Sequence, residues 1–537
     1  MTITKAEDKK SQKKSPNKAG KKAATSKTAG KKENYLSESS EWTFELLEKY
    51  DREIKRIAHE KFKLDTYPNQ IEIISAEQMM DAYASSGMPI HYNHWSYGKH
   101  FLSTEKTYRR GQMGLAYEIV INSDPCISYL MEENTIAMQA LVIAHACYGH
   151  NSFFKNNYLF KTWTNADAII DYLVFAKKYI RECEEKHGIN AVEEILDSCH
   201  ALMNYGIDRY RRPNKLSIAE ERERQIKREE HLQYQINELW RTIPKKDEET
   251  QDNKKKRFPE EPEDNLLYFF EKNAPLLEPW QRELVRIVRK MAQYFYPQRL
   301  TKAMNVRSGH VFGITPFLMK CMLKDELTIG FMLEFLTSHT SVIYQPPYNS
   351  PYYSGINPYS IGFNIMSDIR RICEEPTDED YYWFPNIAGK DWRESIEFAM
   401  RNFKDESFIA QYLSPKVMRD MKLFCILDDD EDNELEITAI HNEQGYRKVR
   451  QTISEQYNPG NLEPRIQAYN VDLRGNRSLV LRHLMNNRRP LDNKSAHEML
   501  KHVYRLWNFP IILEAITPEG KVIKTYHCPP REPAPES

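Results

Sequence analysis

No two of the eight cysteines, at positions 126, 147, 183, 199, 321, 373, 425 and 528, stand in a C-x-x-C pair. Scattered thiols argue against a disulfide framework and against a structural zinc finger, and they fit reduced cysteines in the cytoplasm. No apolar run approaches the roughly 18–20 residues needed to cross a bilayer, so no membrane span is expected. The N-terminus is rich in lysine and lacks the apolar stretch of a secretory signal, which makes a soluble, cytoplasmic protein the expectation. There is no Gly-rich phosphate loop and no G-x-S-x-G elbow, so nucleotide use and serine-hydrolase chemistry have no motif to rest on. A net excess of charge is absent too, at −1 over 537 residues.

That balance hides an asymmetry. Residues 1–34 carry eleven lysines against three acids, a net +8, and almost no large apolar side chain. Such a segment cannot offset its ordering entropy and is expected to be disordered. It is either a solvated tail or a polyanion-binding arm acting by counterion release, and it has no arginine or aromatic residue interleaved for stacking. The rest of the chain has ample material for a core, with 40% hydrophobic and 12% aromatic residues overall.

The pattern predicts a mainly α protein with a small C-terminal α+β domain. Residues 1–38 form the tail, 39–216 the first half of a helical core, 217–265 a charged helix and linker, and 266–429 the second half of that core. Residues 430–528 form the α+β domain, and 529–537 a second tail. "SEWTFELLEKYDREIKRIAHEKF" has apolar residues at helical spacing. Residues 84–101 ("ASSGMPIHYNHWSYGKHF") read as an ordered loop, as do residues 344–360 ("YQPPYNSPYYSGINPYS"). A strand is expected at 119–122, then a long helix after Pro125 that carries His145, then helices at about 164–186 and 190–204. In the last hundred residues β-formers cluster around the helix "KSAHEMLKHVYRLW".

The stretch "IAHACYGHNSFFKNNYLF" (143–160) places His145 and His150 five apart. On an ideal α-helix that spacing turns the two side chains about 140° away from each other, so convergence requires the helix to end or unwind near Gly149. Ala146 stands where an H-E-x-x-H peptidase has its general base. The pair is therefore either a metal site or two histidines hydrogen-bonded among aromatics. A second constellation is Glu193, Asp197 and His200 on one helical face, which suits either a metal site in a bundle or a polar stripe. His94 and Lys99 lie in the aromatic loop "YNHWSYGKHF", as substrate contacts or as loop anchors. Asp208, Arg209 and Arg211 in "GIDRYRRP" read as an ion-pair cap at a helix end.

Several blocks together resemble one family. "YNHWSYGKHF", "AHACYGHNSFFKNNYLF", "GIDRYRRP", "YFYPQRLTKAMN", "SPYYSGINPYSIGF" and "RRICEEPTDEDYYWFPNIAG" are similar to segments of the SpoVR (stage V sporulation protein R-like) family, over residues 39–528 and in the form found in non-sporulating Gram-negative bacteria. The resemblance implies a cytoplasmic stress- or starvation-associated protein, with a role in spore cortex formation among spore-formers. It also implies a serine protein kinase encoded nearby as a partner. No agreed reaction comes with it. Members carry an Asn-Glu-Gly-aromatic-Ala string that is similar to the helix supplying the third zinc ligand, a Glu, in gluzincin peptidases. By that resemblance His145, His150 and the Glu would hold a divalent metal, zinc or iron, in a hydrolase-like, gluzincin-like fold. The alternative is a non-catalytic scaffold or regulator working with the kinase.

This chain departs from the family where that Glu belongs. After "TKAMN" it reads "VRSGHVFGITPFLMKCM" (306–322), with no Glu and no Trp. Gly309, Gly313 and Pro316 break a helix that the family pattern would continue, and His310 is a poor substitute ligand on such a backbone. Back-translated with freely chosen synonymous codons and read two bases later, the segment begins "EVWARFWHYT", close to the family string. The expectation is a pair of compensating frameshifts, in the gene or in its sequencing, leaving the proposed hydrolase impaired.

Overall fold

The computed structural model describes residues 39–529 apart from 61, 86–87, 89, 112–116, 211–226, 228–256, 307–326, 428–435, 440 and 486–489. The Lys-rich tail, most of the charged 217–265 stretch and all but the first residue of 306–322 therefore lie outside the described residues.

Helix α1 (Phe44–Glu60) buries Leu47, Tyr50, Ile54 and Ile57, the apolar stripe expected of its spacing. Three strands follow, interleaved with two helices: β1 (Asn69–Ile74), α2 (Ala76–Ala84), α3 (Trp95–Arg109), β2 (Glu118–Ile121) and β3 (Cys126–Met131). They make a sheet of order β1–β3–β2, with β1 parallel and β2 antiparallel to β3. Two expectations are corrected here. The long helix does not follow Pro125 directly, because residues 126–131 alternate buried and partly exposed side chains as a strand. Nor is 84–101 wholly a loop. The His94 side chain accepts from the Ser96 N–H and caps α3, which tolerates the exposed Gly98 within it.

The sheet supports a run of buried helix, α4 (Ile136–Ile143), every residue of which is inaccessible. Its axis continues through a π-helical turn, Ala144–His150, into α5 (Asn151–Asn156), and α6 (Tyr158–Trp163), α7 (Ile169–His187) and α8 (Ile189–Ala201) follow as separate helices. The last two fall close to their expected positions. The second half of the chain supplies α9 (Leu266–Asn273), α10 (Pro279–Leu300) and a short π turn (Lys302–Val306). These are followed by α11 (Ile329–Ile343), α12 (Pro358–Glu374), α13 (Asp378–Trp383), α14 (Trp392–Asn402), α15 (Asp405–Tyr412) and α16 (Pro415–Asp420). Of the loop expected at 344–360, residues 344–357 carry no helix or strand, whereas Pro358–Ser360 open α12 behind the Asn357 cap.

A hairpin of β4 (Cys425–Leu427) and β5 (Glu436–Ala439) leads to α17 (Glu443–Gln456) and α18 (Pro459–Leu462). Tyr446, Val449 and Ile453 of α17 join the apolar cluster of Phe408, Ile409 and Ile365. The C-terminal α+β domain is a four-stranded sheet of β6 (Arg465–Val471), β7 (Leu479–Leu484), β8 (Ile511–Ile516) and β9 (Val522–Cys528), with α19 (Asn493–Trp507) against it. Its inner face shares a core with α8, α9 and α10, where Trp507 stacks on Phe269 at 5.6 Å between ring centroids. The architecture is mainly α, with this small mixed unit at the C-terminus. None of the described helices is long and apolar enough to cross a membrane.

Candidate metal centre

The π turn resolves the spacing problem posed by His145 and His150. In an α-helix the fifth residue on points elsewhere, but here the Asn151 N–H reaches back to the Ala146 carbonyl, an i to i−5 bond that widens the turn. The two imidazoles consequently lie side by side, 4.5 Å between centroids and 26° from parallel. No unwinding at Gly149 is needed.

Three neighbours hold the widened turn. The Tyr148 hydroxyl donates to Asp51 Oδ1 of α1 at 2.7 Å. The Cys147 thiol lies 3.6 Å from Ser128 Oγ on β3. Asn151 binds the backbone entering β1 in both directions, accepting from the Tyr67 N–H at 2.7 Å and donating to the Tyr67 carbonyl at 2.9 Å. The small residues Ala144, Ala146 and Gly149 let the sheet approach, and all seven residues of the turn are buried.

Across from the pair stands a carboxylate that the sequence did not single out. Glu118, the first residue of β2, has Oε1 3.4 Å from His145 Nδ1. One donor atom each from Glu118, His145 and His150 falls within 4.8 Å of the others, and this is the one such trio of histidine, cysteine or acidic residues among the described residues. Burial raises the Glu118 carboxyl to about 7. Burial also holds the His145 imidazole well below its usual range, helped by the neighbouring His150 and His339. The surroundings are aromatic. His150 stacks on Phe154 at 5.8 Å, and His339 of α11 stacks on Phe335 and meets Phe363 of α12 at 5.3 Å. Two imidazoles and one carboxylate form a donor set that suits zinc or ferrous iron.

The other candidates also assemble, in a different place. His94 Nε2 lies 3.2 Å from Asp197 Oδ1, and the His94 and His200 rings are 4.4 Å apart. The Tyr92 hydroxyl is 2.6 Å from His200 Nε2, and the Trp95 indole donates to Asp197 at 2.8 Å. Burial, then the His94 and His91 charges, push His200 down to about 3. Glu193 reaches this group only through its charge, which favours protonated His94. Lys99 lies over the Trp95 ring at 5.8 Å, an anchoring contact. In the "GIDRYRRP" block, Asp208 Oδ1 accepts from the Asn265 side chain at 2.9 Å and Arg209 lines a cavity, while Arg211 lies outside the described residues.

Comparison with known proteins gives a consistent result. Residues 41–462 match the family described as SpoVR like protein, and residues 464–518 match the SpoVR-like C-terminal domain. The chain is 61% identical over 508 residues to the "Uncharacterized protein YcgB" of Escherichia coli (strain K12), covering 95% of this chain and 99% of that protein. No solved structure matches.

Proposed function

We propose a metal-centred role for this chain, which belongs to the SpoVR-like protein family: Glu118, His145 and His150 hold one divalent cation, zinc or iron, at which hydrolytic chemistry takes place. The observation that carries the reading is the π turn, which brings two histidines of unfavourable spacing together opposite a partly buried carboxylate. Bound there, the cation would supply Lewis acidity and an acidified water. The protein's own contribution is to keep the His145 imidazole neutral by burial and to offer Glu118 as the one charged ligand, releasing its proton as the cation enters. The carboxylate comes from β2, so the three-ligand set is complete without any residue of 306–322.

Likeness to gluzincins is confined to the ligand types, since among the described residues neither an H-E-x-x-H helix nor a downstream Glu contributes. The cellular setting we infer is the one the family resemblance implies, a cytoplasmic stress programme with a serine protein kinase as partner. The rival reading, a non-catalytic scaffold or regulator, draws on the stacking of His150 on Phe154, which is equally the geometry of a core histidine.

Metal content separates the two. The chain, purified without a histidine tag, is expected to carry about one zinc or iron by mass spectrometry, and the His145→Ala variant none. Metal-free protein in both preparations would refute the metal reading and favour the scaffold.

A further inference from the structure

A cavity of about 580 Å³ lies away from the metal trio, where "GIDRYRRP", "YFYPQRLTKAMN" and the α17–α18 junction converge. Five cationic side chains line it, Arg209, Arg299, Lys302, Lys404 and Arg465, against three acids, Asp264, Glu463 and Asp405. Each acid is already engaged. Glu463 takes the Arg299 guanidinium. Asp264 takes Arg465 at 3.4 Å and the Gln467 amide at 2.7 Å. Asp405 is buried and accepts the Ala303 and Met304 N–H groups at 2.7 and 2.8 Å, leaving its carboxylate turned to backbone. Among the described residues neither Arg209 nor Lys302 has a carboxylate within ion-pair distance.

Cations therefore outnumber acids in the lining: Arg299, Arg465 and Lys404 are paired with Glu463, Asp264 and Glu406, while Arg209 and Lys302 are left without an ion pair among the described residues, Lys302 feeling only the nearby charge of Asp405. Burial lowers the proton affinity of the Arg299 guanidinium, and the Arg209 charge lowers it further against the opposing effect of Tyr296. A concave, partly desolvated site with surplus guanidinium and ammonium groups is complementary to an oxyanion, and arginine forks match phosphate geometry. Tyr210, Tyr296 and Tyr457 add ring surface to the same walls. The volume falls within the ~300–1,000 Å³ range of small-molecule sites, larger than an isolated phosphate requires.

We propose that this cavity binds a small-molecule phosphate ester, with Arg209 and Lys302 as its principal phosphate contacts, Arg299 and Lys404 on the flanks, and the tyrosines against its organic part. The site needs no P-loop, because side-chain cations do the work that backbone N–H groups do there. It is independent of the metal trio and stands or falls separately.

The test is calorimetric titration of the full chain with inorganic pyrophosphate, in EDTA to exclude chelation to a metal and at 150 mM NaCl to suppress the Lys-rich tail. One saturable site is expected. Arg209→Gln and Lys302→Gln, each with an unchanged melting temperature, are expected to weaken it about tenfold or more. Lys302 is exposed, so its variant tests the idea even where Arg209→Gln fails to fold. Equal affinity in wild type and the Lys302 variant, or no saturable binding in the wild type, would overturn the proposal.

Discussion

Replacing Glu118 by Gln separates a metal ligand from a core residue by the order of the melting curves with and without metal. The substitution keeps the side chain's volume and removes a carboxyl whose ionised form burial disfavours. In metal-free protein it should therefore be neutral or slightly stabilising. In metal-loaded protein the sign reverses. A cation present at 100 times its dissociation constant stabilises the native state by about 2.7 kcal/mol. Loss of even an outer-sphere partner weakens metal sites by about 10–100-fold, so loss of a direct carboxylate should reach the upper end of that range. A hundredfold weakening leaves about 0.4 kcal/mol of stabilisation at the same metal concentration. The assay is thermal melting of both proteins in EDTA and in graded zinc or ferrous iron. The variant is expected to match or exceed wild type in EDTA and to fall below it by about 2 kcal/mol with metal, at most a few degrees in a chain of this size. A wild-type curve indifferent to EDTA and metal would refute the reasoning, and so would a variant with the full metal response.

Three further outcomes are expected. Asp380 receives two Arg371 bonds of 2.7 Å, and the Thr377 N–H and hydroxyl donate to it as well. Burial would raise its pKa, but these partners hold it at about 2. Because the folded pKa is depressed, the stabilisation is present above about pH 4 and is lost as pH falls through about 2. Screening at the half-open Arg371 leaves Asp380→Asn costing about 2 kcal/mol at pH 7. Urea titrations should show that gap closing in acid, and a gap that persists at pH 2 would contradict the assignment. Asn151→Ala removes the brace between the π turn and β1. It should cost about 2–3 kcal/mol and weaken metal binding about 10–100-fold, whereas unchanged metal affinity would mean that the brace does not position the histidines. Resequencing the gene across codons 300–325 is expected to expose two compensating frameshifts, and clean in-frame codons for 306–322 would sink that account.

Much of the fold was legible because its signals are local. The stripe of Leu47, Tyr50, Ile54 and Ile57 announces α1, and two runs of β-formers joined by "PEG", with its turn at Gly520, announce the last hairpin. The misreadings came where a local signal met a tertiary one. Residues 126–131 ("CISYLM") are too short and apolar to distinguish strand from helix by period, and pairing with both β1 and β2 decided the matter. At 84–101 the Gly, Pro and aromatic residues suggested a loop, but a histidine cap and exposure of Gly98 left a helix intact from Trp95.

The site was half legible for a related reason. His145 and His150 stood out by residue type, and their i, i+5 spacing counted against convergence only while the helix was assumed to be α. A π turn makes five the spacing at which side chains approach each other, so a pair of ligating residues five apart within an apolar run is itself a signal for such a turn. Glu118 gave no signal of that kind. It lies twenty-seven residues before His145 on a short strand, and only the β2–β3 pairing brings it to the π turn. The sequence located the carboxylate downstream, by resemblance, in a segment that this chain lacks. A carboxylate from β2 changes the consequence of that lack. The proposed ligand set is held by the N-terminal sheet and the π turn after α4, while α11, resuming after 306–322, contributes aromatic packing and His339. Damage to 306–322 should then show in substrate access or turnover and spare metal affinity, which a frame-restored chain can decide. If this chain carries metal and restoration leaves its content unchanged, the carboxylate is Glu118. If it creates metal binding where none existed, the missing downstream Glu is the ligand and Glu118 is its neighbour.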